Sequence, residues 1–176
     1  MGRAFRAQGW LVTSVDLRAD FEPDICCDVL AFEIAMLAGG PNVDLIWASP
    51  PCTHYSCART KAKTPRDLIG SDALVRKVLD LSDELFCHYM MENPYSGLLK
   101  TRPVVLGCPM RVLDYCRYGT PYRKRTAIWT NTLWNPARPL CKHDCAASDG
   151  RKHRSRAQRE NWTLEELYSI PEALCK

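Results

Sequence analysis

The chain has 176 residues and a formal net charge of +4, a length that fits one domain built around one core. With 46% hydrophobic and 25% charged residues it has the composition of an ordinary globular protein, which excludes the fibrous and disordered classes. No apolar run approaches the roughly 20 residues that cross a bilayer, and residues 1–20 carry Arg and Asp where a secretory signal is apolar, so an intracellular protein, cytoplasmic or nuclear, with no membrane partner is expected.

Gly2 to Gln8 reads as a short helical turn closed by Gly9, and Trp10 to Val15 as a buried strand ending at Asp16. A helix is expected over Leu30 to Leu37, stopped by Gly39 and Gly40, and Val43 to Ala48 reads as a second buried strand. That strand runs into Ser49, Pro50, Pro51 and Cys52. Prolines cannot continue a central strand, so Cys52 is expected in a loop just past the strand's carboxyl end, the edge where open parallel sheets bind ligands. Residues 53–70 carry Arg59, Lys61, Lys63 and Arg66 without clear periodicity and read as an exposed basic loop. Ser71 is then expected to cap a helix with Leu74, Val78, Leu81 and Leu85 on one face. His88 to Met91 reads as a short strand that delivers Glu92, Asn93 and Pro94 to another strand end, and further strands are expected at Arg111 to Cys116 and Thr126 to Thr130. The stretch from Trp134 to Arg159 is rich in Pro and basic residues, after which Thr163 and Glu166 form a capping-box pair for a last short helix. The alternation of strands and helices implies an α/β sheet. Residues 1–133 read as its body and 134–176 as a basic extension containing Cys and His.

Charge is uneven along this path. Residues 1–116 hold 12 Lys+Arg against 14 Asp+Glu, residues 117–159 hold 11 against 2, and residues 160–176 hold 1 against 4. The middle stretch carries +9, either a solvated basic face or the footprint of a phosphate-backbone binder. Ten cysteines without a secretory signal are expected to be reduced.

Three groups carry chemistry. Cys52 is a thiol presented by a proline-stiffened loop, although most cysteines of a reduced protein are small core residues. Glu92 ends an apolar stretch, where burial would raise its pKa and let it share a proton with a ligand nitrogen, unless it is a satisfied ion pair. Gly119-Thr-Pro-Tyr-Arg-Lys-Arg125 sets three cations immediately before a strand, a pattern that alone is more often a solvated turn.

Taken in order, Ser49-Pro-Pro-Cys-Thr-His-Tyr-Ser56, Glu92-Asn-Pro94 and Gly119 to Arg125 resemble three motifs of the cytosine carbon-5 DNA methyltransferase family. Ser14-Val-Asp-Leu17 resembles that family's strand with an acidic end that binds the cofactor ribose, and Cys27-Asp-Val29 its Gly-Asp-Ile element for the adenine. The resemblance covers about residues 2–131 and implies a Rossmann-like S-adenosylmethionine-dependent sheet with helices on both faces. It implies Cys52 as nucleophile, Glu92 on the cytosine, and Arg123 and Arg125 around the base. Gly2, Asp16, Leu17, Asp28, Val29 and Pro50 would line the S-adenosylmethionine site. The partner would be DNA, with the target cytosine flipped out of a duplex or taken from a single strand.

The chain also departs from the family. The first strand and its Phe-x-Gly-x-Gly loop are missing, with Gly2 as the remaining glycine, and the motif glutamine is replaced or deleted around Tyr122. The chain thus resembles a short or N-terminally truncated, viral or phage-like member. Besides a DNA cytosine methyltransferase, two other functions fit: an inactive remnant that binds nucleic acid, and a methyltransferase for single strands or free nucleotides. Cys141-Lys-His-Asp-Cys145, with His143 and His153, could hold zinc, but one Cys-x-x-x-Cys pair without a clear second pair is more often a pair of reduced surface thiols, so no metal is expected.

Overall fold

The computed structural model describes residues 1–60, 62–155 and 162–174. Lys61 of the basic loop, and Arg156 and Arg159 of the cationic stretch, lie outside the described residues. The fold is mixed α/β. Strands β3 (Leu45–Ala48), β4 (His88–Pro94), β5 (Met110–Asp114) and β6 (Arg125–Thr130) form one sheet in the order β3-β4-β6-β5, and β1 (Val15–Asp16) and β2 (Ile25–Cys26) form a separate parallel pair. Helix α1 spans Gly2–Arg6, α2 Leu68–Glu84 and α3 Leu164–Tyr168.

The described residues cluster into two compact units, one of residues 13–110 with 128–134 and the other of residues 1–12, 111–127 and 135–176. In the first unit β3 and β4 run parallel, from Leu45 opposite His88 to Ala48 opposite Met91, and α2 is the crossover that a parallel pair requires. Each central strand carries three consecutive buried apolar residues, as expected where both faces are covered: Tyr89, Met90 and Met91 of β4 and Ala127, Ile128 and Trp129 of β6. The residues of β3, at the sheet edge, are only half-buried.

Several elements differ from the sequence expectation, each for a packing reason. Trp10 to Ser14 is not a strand; Trp10 packs edge-on against Phe5 with ring centroids 5.4 Å apart, and only Val15–Asp16 finds a partner strand. The helix expected over Leu30 to Leu37 is two one-turn 3-10 helices, Val29–Ala31 and Ile34–Met36, separated by extended backbone at Phe32 and Glu33. Burying Phe32, 5% exposed and the one buried side chain there, wins over helical propensity. The cap of α2 is Asp67, whose Oδ1 accepts the Gly70 N–H at 2.8 Å, so Ser71 lies inside the first turn and is buried. The buried face is consequently Ser71, Val75, Val78, Leu79, Leu81 and Ser82, with Leu74 and Leu85 on its margin. The capping box of α3 forms as expected: Thr163 N–H donates to Glu166 Oε2 at 2.7 Å and Glu166 N–H to Thr163 Oγ1 at 3.2 Å. No disulfide joins the nine described cysteines, and no helix among the described residues is long and apolar enough to cross a membrane.

Candidate active site

The parallel register of β3 and β4 fixes which residues leave the sheet together. Ala48 stands opposite Met91, so the Ser49-Pro50-Pro51-Cys52 loop and Glu92 emerge at the same carboxyl edge. Asn93, 1% exposed, ties the two: its Nδ2 donates to the Pro50 carbonyl at 2.8 Å. Glu92 is buried at 7% exposure, and Cys52 is half-buried.

Beyond Cys52 the chain turns back, with Tyr55 N–H donating to the Cys52 carbonyl at 3.0 Å. Tyr55 is fully buried and donates its hydroxyl to Asp72 Oδ1 on α2 at 2.8 Å. Asp72 in turn receives Nε and Nη2 of Arg102, the latter at 2.7 Å. Burial pushes the Tyr55 hydroxyl well up, reinforced by Asp72, so it stays a donor. Burial alone would raise Asp72 too, but Arg102 and the Tyr55 hydroxyl hold it below the usual carboxylate range. The Tyr55 carbonyl accepts the Leu98 N–H at 2.9 Å, and a Cβ on Gly97 would stand 3.1 Å from the Pro94 carbonyl. The missing side chain at residue 97 lets the turn after β4 close tightly on Pro94, and the Leu98 N–H of that turn then braces the Cys52 loop at Tyr55.

The basic loop also folds on itself. Arg66 donates to the carbonyls of His54 and Ser56 at 2.6 and 2.9 Å, Asp67 N–H donates to His54 Nδ1 at 2.8 Å, and Arg59 bonds Thr64 and Pro65. Lys63 is exposed.

Of the residues expected at the cofactor, Asp16 and Asp28 share an edge. Asp16 ends β1 opposite Cys26, and Asp28 lies two residues beyond Cys26, so both acids stand at the carboxyl ends of adjacent parallel strands. Asp16 Oδ1 accepts Arg18 N–H at 2.8 Å and Asp28 Oδ1 accepts Leu30 N–H at 2.9 Å. Leu17 is exposed, and Val29 and Pro50 are half-buried. Gly2 opens α1, where a Cβ would meet only ordinary contacts at 3.5 and 3.6 Å.

In the other unit, Arg123 and Arg125 converge on Asp114, the last residue of β5. Arg125 Nε and Nη2 reach its two oxygens at 2.9 and 2.8 Å, and Arg123 reaches them at 3.2 and 3.4 Å. The Asp114 side chain is wholly buried while the two arginine side chains are about one-third exposed. Burial raises its pKa, but Arg125, Arg123 and the Cys141 N–H outweigh it and bring the carboxyl to about 2. Tyr122, where the motif glutamine is lost, is buried and donates its hydroxyl to the Glu166 carbonyl at 2.8 Å, and Lys124 Nζ donates to the Leu167 carbonyl at 3.0 Å. Only Arg123 and Arg125 of this run therefore share one anionic anchor.

Of the Cys/His candidates, Cys141, Cys145 and His153 come together, and Cys116 joins them; His143 is outside that group, though its ring centroid is 5.0 Å from that of His153. Tyr55, Asp72, Arg102, Asp114 and Cys116 carry contacts that sequence reasoning did not assign, since each partner lies far away in the chain with no motif between.

No family model matches the chain. It is similar to the probable DNA (cytosine-5)-methyltransferase of Frog virus 3 (isolate Goorha), 32% identical over 136 residues, which cover 70% of this chain and 61% of that relative's length. The similarity supports the resemblance to the cytosine carbon-5 DNA methyltransferase family that the sequence motifs carry, over a chain that spans about three-fifths of that relative's length.

Proposed function

We propose that the chain transfers a methyl group from S-adenosylmethionine to carbon 5 of cytosine in DNA, through a transient bond between Cys52 and the base. The observation that carries this reading is the Asn93 hydrogen bond to Pro50, which holds the Cys52 loop against the strand that presents Glu92. Carbon 5 of cytosine is a weak nucleophile until a thiolate adds at carbon 6. In this reading the Cys52 thiolate adds there while Glu92, buried and so able to share a proton, bonds ring nitrogen 3 and takes up the developing charge. After methylation, loss of the carbon-5 proton expels the Cys52 thiolate and restores the ring.

S-adenosylmethionine would supply an electrophilic methyl group when bound. Residues here fit its nucleoside: Asp16 and Asp28 stand at adjacent strand ends, each with one oxygen used by a backbone N–H and the other directed to no described partner, as a ribose or adenine donor requires. Leu17, Val29 and Pro50 would add apolar contact, and Gly2 would border the methionine end. Arg123 and Arg125, pre-aligned by Asp114, would contact the target nucleotide or its phosphates. The exposed Lys142, Arg151, Lys152 and Arg154 would take the phosphate backbone. A target in stacked duplex must be flipped out, whereas a single strand presents it directly.

A second reading, nucleic-acid binding without turnover, is favoured by one observation: β3, which leads to Cys52, is an edge strand with all four residues only half-buried. Transfer of a radiolabelled methyl group separates the two. The first reading expects label at carbon 5 of cytosine in duplex or single-stranded DNA, lost on Cys52→Ser. DNA bound with salt-dependent affinity but never labelled, in protein that also binds S-adenosylmethionine, would favour the second.

A further inference from the structure

Four soft donors that the proposed reaction does not use converge in the unit of residues 1–12, 111–127 and 135–176. Cys116 lies in the one-turn 3-10 helix Tyr115–Tyr118 that follows β5. Cys141 and Cys145 bracket a turn, and His153 returns on a short hairpin in which Ser148 bridges His153 and Gly150 adopts φ +90°. The three sulfurs and one imidazole nitrogen all lie within 4.8 Å of one another, with His153 Nε2 at 3.3 Å from Cys145 Sγ and 3.5 Å from Cys141 Sγ. A tetrahedral zinc ion with Zn–S near 2.3 Å and Zn–N near 2.0 Å needs S···N edges of about 3.5 Å and S···S edges of about 3.8 Å. The two S···N separations already match such edges, and the remaining donor pairs lie within 4.8 Å.

What surrounds them argues against a simple cluster of core thiols. Between residues 135 and 155 the buried residues are Cys141, Ser148 and His153, and the segment has no helix and only isolated bridges. It has no apolar core of its own, and a segment in that condition needs a cross-link to be held. The Cys141 N–H is fixed by Asp114 Oδ2 at 3.0 Å, so a buried carboxylate at the end of β5 holds the backbone that carries this sulfur.

We propose that Cys116, Cys141, Cys145 and His153 bind one zinc ion as a closed, structural Cys3His centre that pins the 135–155 segment to the end of β5. Four protein ligands complete the tetrahedron and leave no position for a substrate, so the centre acts on folding and not on methyl transfer. His143 is not a ligand. The inference does not rest on the proposed activity.

The test is metal analysis of the purified full chain, with cobalt substituted for zinc. One zinc per chain is expected after dialysis, and the cobalt form should show tetrahedral d–d bands with sulfur-to-metal charge transfer of three thiolates. Cys116→Ser should reduce that signal to two thiolates and weaken zinc binding by more than the roughly 10–100-fold that loss of an outer-shell partner costs. His143→Ala and Cys108→Ser should leave stoichiometry and spectrum unchanged. Protein that folds without metal and with the three thiols open to titration would overturn the proposal. So would a wild-type cobalt spectrum of two thiolates, which reads the ligand set even where Cys116→Ser fails to fold, or a loss of metal on His143→Ala.

Discussion

The loop that carries Cys52 and the loop that carries Cys141 and Cys145 both lack regular structure and both hold cysteines, yet different interactions hold them. The first hangs from strand ends: a parallel register aligns it with Glu92, one buried amide holds Pro50, and a buried tyrosine ties it to α2. The second hangs from side chains: a buried carboxylate gathers two arginines and a backbone N–H, and three sulfurs and an imidazole gather around a point. A site built from strand ends inherits the precision of the sheet, whereas one built from side chains depends on charge, protonation and whatever the donors hold.

Asp114→Asn should bring the largest loss, because it leaves two guanidiniums facing a buried neutral amide. Partial exposure of the arginines moderates the cost, and roughly 3 kcal/mol of stability is expected in denaturant unfolding. The same carboxyl gives the second region an acid sensitivity. Its folded pKa, about 2, lies below that of an ordinary aspartate, so its stabilisation is complete above about pH 4 and is lost as pH falls toward 2. That stabilisation amounts to roughly 2 kcal/mol. A wild-type chain whose acid unfolding matches that of Asp114→Asn through this window would contradict the assignment.

Asn93→Ala probes the first region. Removing the donor to Pro50 should cost about 2 kcal/mol and lower methyl transfer further than stability alone explains, since the Cys52 loop loses its link to the Glu92 strand. Equal transfer rates in Asn93→Ala and wild type at a temperature where both are folded would show that the loop is held by something else. Tyr55→Phe is the mildest change, deleting one hydroxyl and leaving Asp72 with Arg102; about 1 kcal/mol is expected, read from the shift in denaturation midpoint at unchanged slope.

The two regions also differ in how far the sequence disclosed them. Proline and glycine punctuation, apolar runs and motif order are local signals; they mark β3 within two residues and the start of β4, but β4 runs three residues past its expected end at Met91, so Glu92 and Asn93 lie within the strand. The phase of α2 was missed because Asp67 and Ser71 are both competent caps, and burial of Ser71 decides between them. The helix expected after Asp28 failed because one side chain, Phe32, is pulled inward. In the second region Cys141, Cys145 and His153 are neighbours in sequence and could be grouped, but Cys116 lies 25 positions before Cys141 on another element. Likewise nothing local ties Asp114 to Arg123 and Arg125. Only the turn of the chain through Gly119, at φ +102°, brings them together.

The most direct test of the proposed chemistry is covalent trapping on DNA containing 5-fluorocytosine in the presence of S-adenosylmethionine. Fluorine at carbon 5 cannot leave as a proton does, so protein that has transferred its methyl group stays bonded to the base. An adduct that survives denaturing electrophoresis is expected for wild type and for Cys57→Ser, none for Cys52→Ser, and one formed at least 100-fold more slowly for Glu92→Gln, whose amide cannot share a proton with ring nitrogen 3. Protein that binds both DNA and S-adenosylmethionine yet forms no adduct, or forms one that Cys52→Ser leaves intact, would contradict the role given to Cys52.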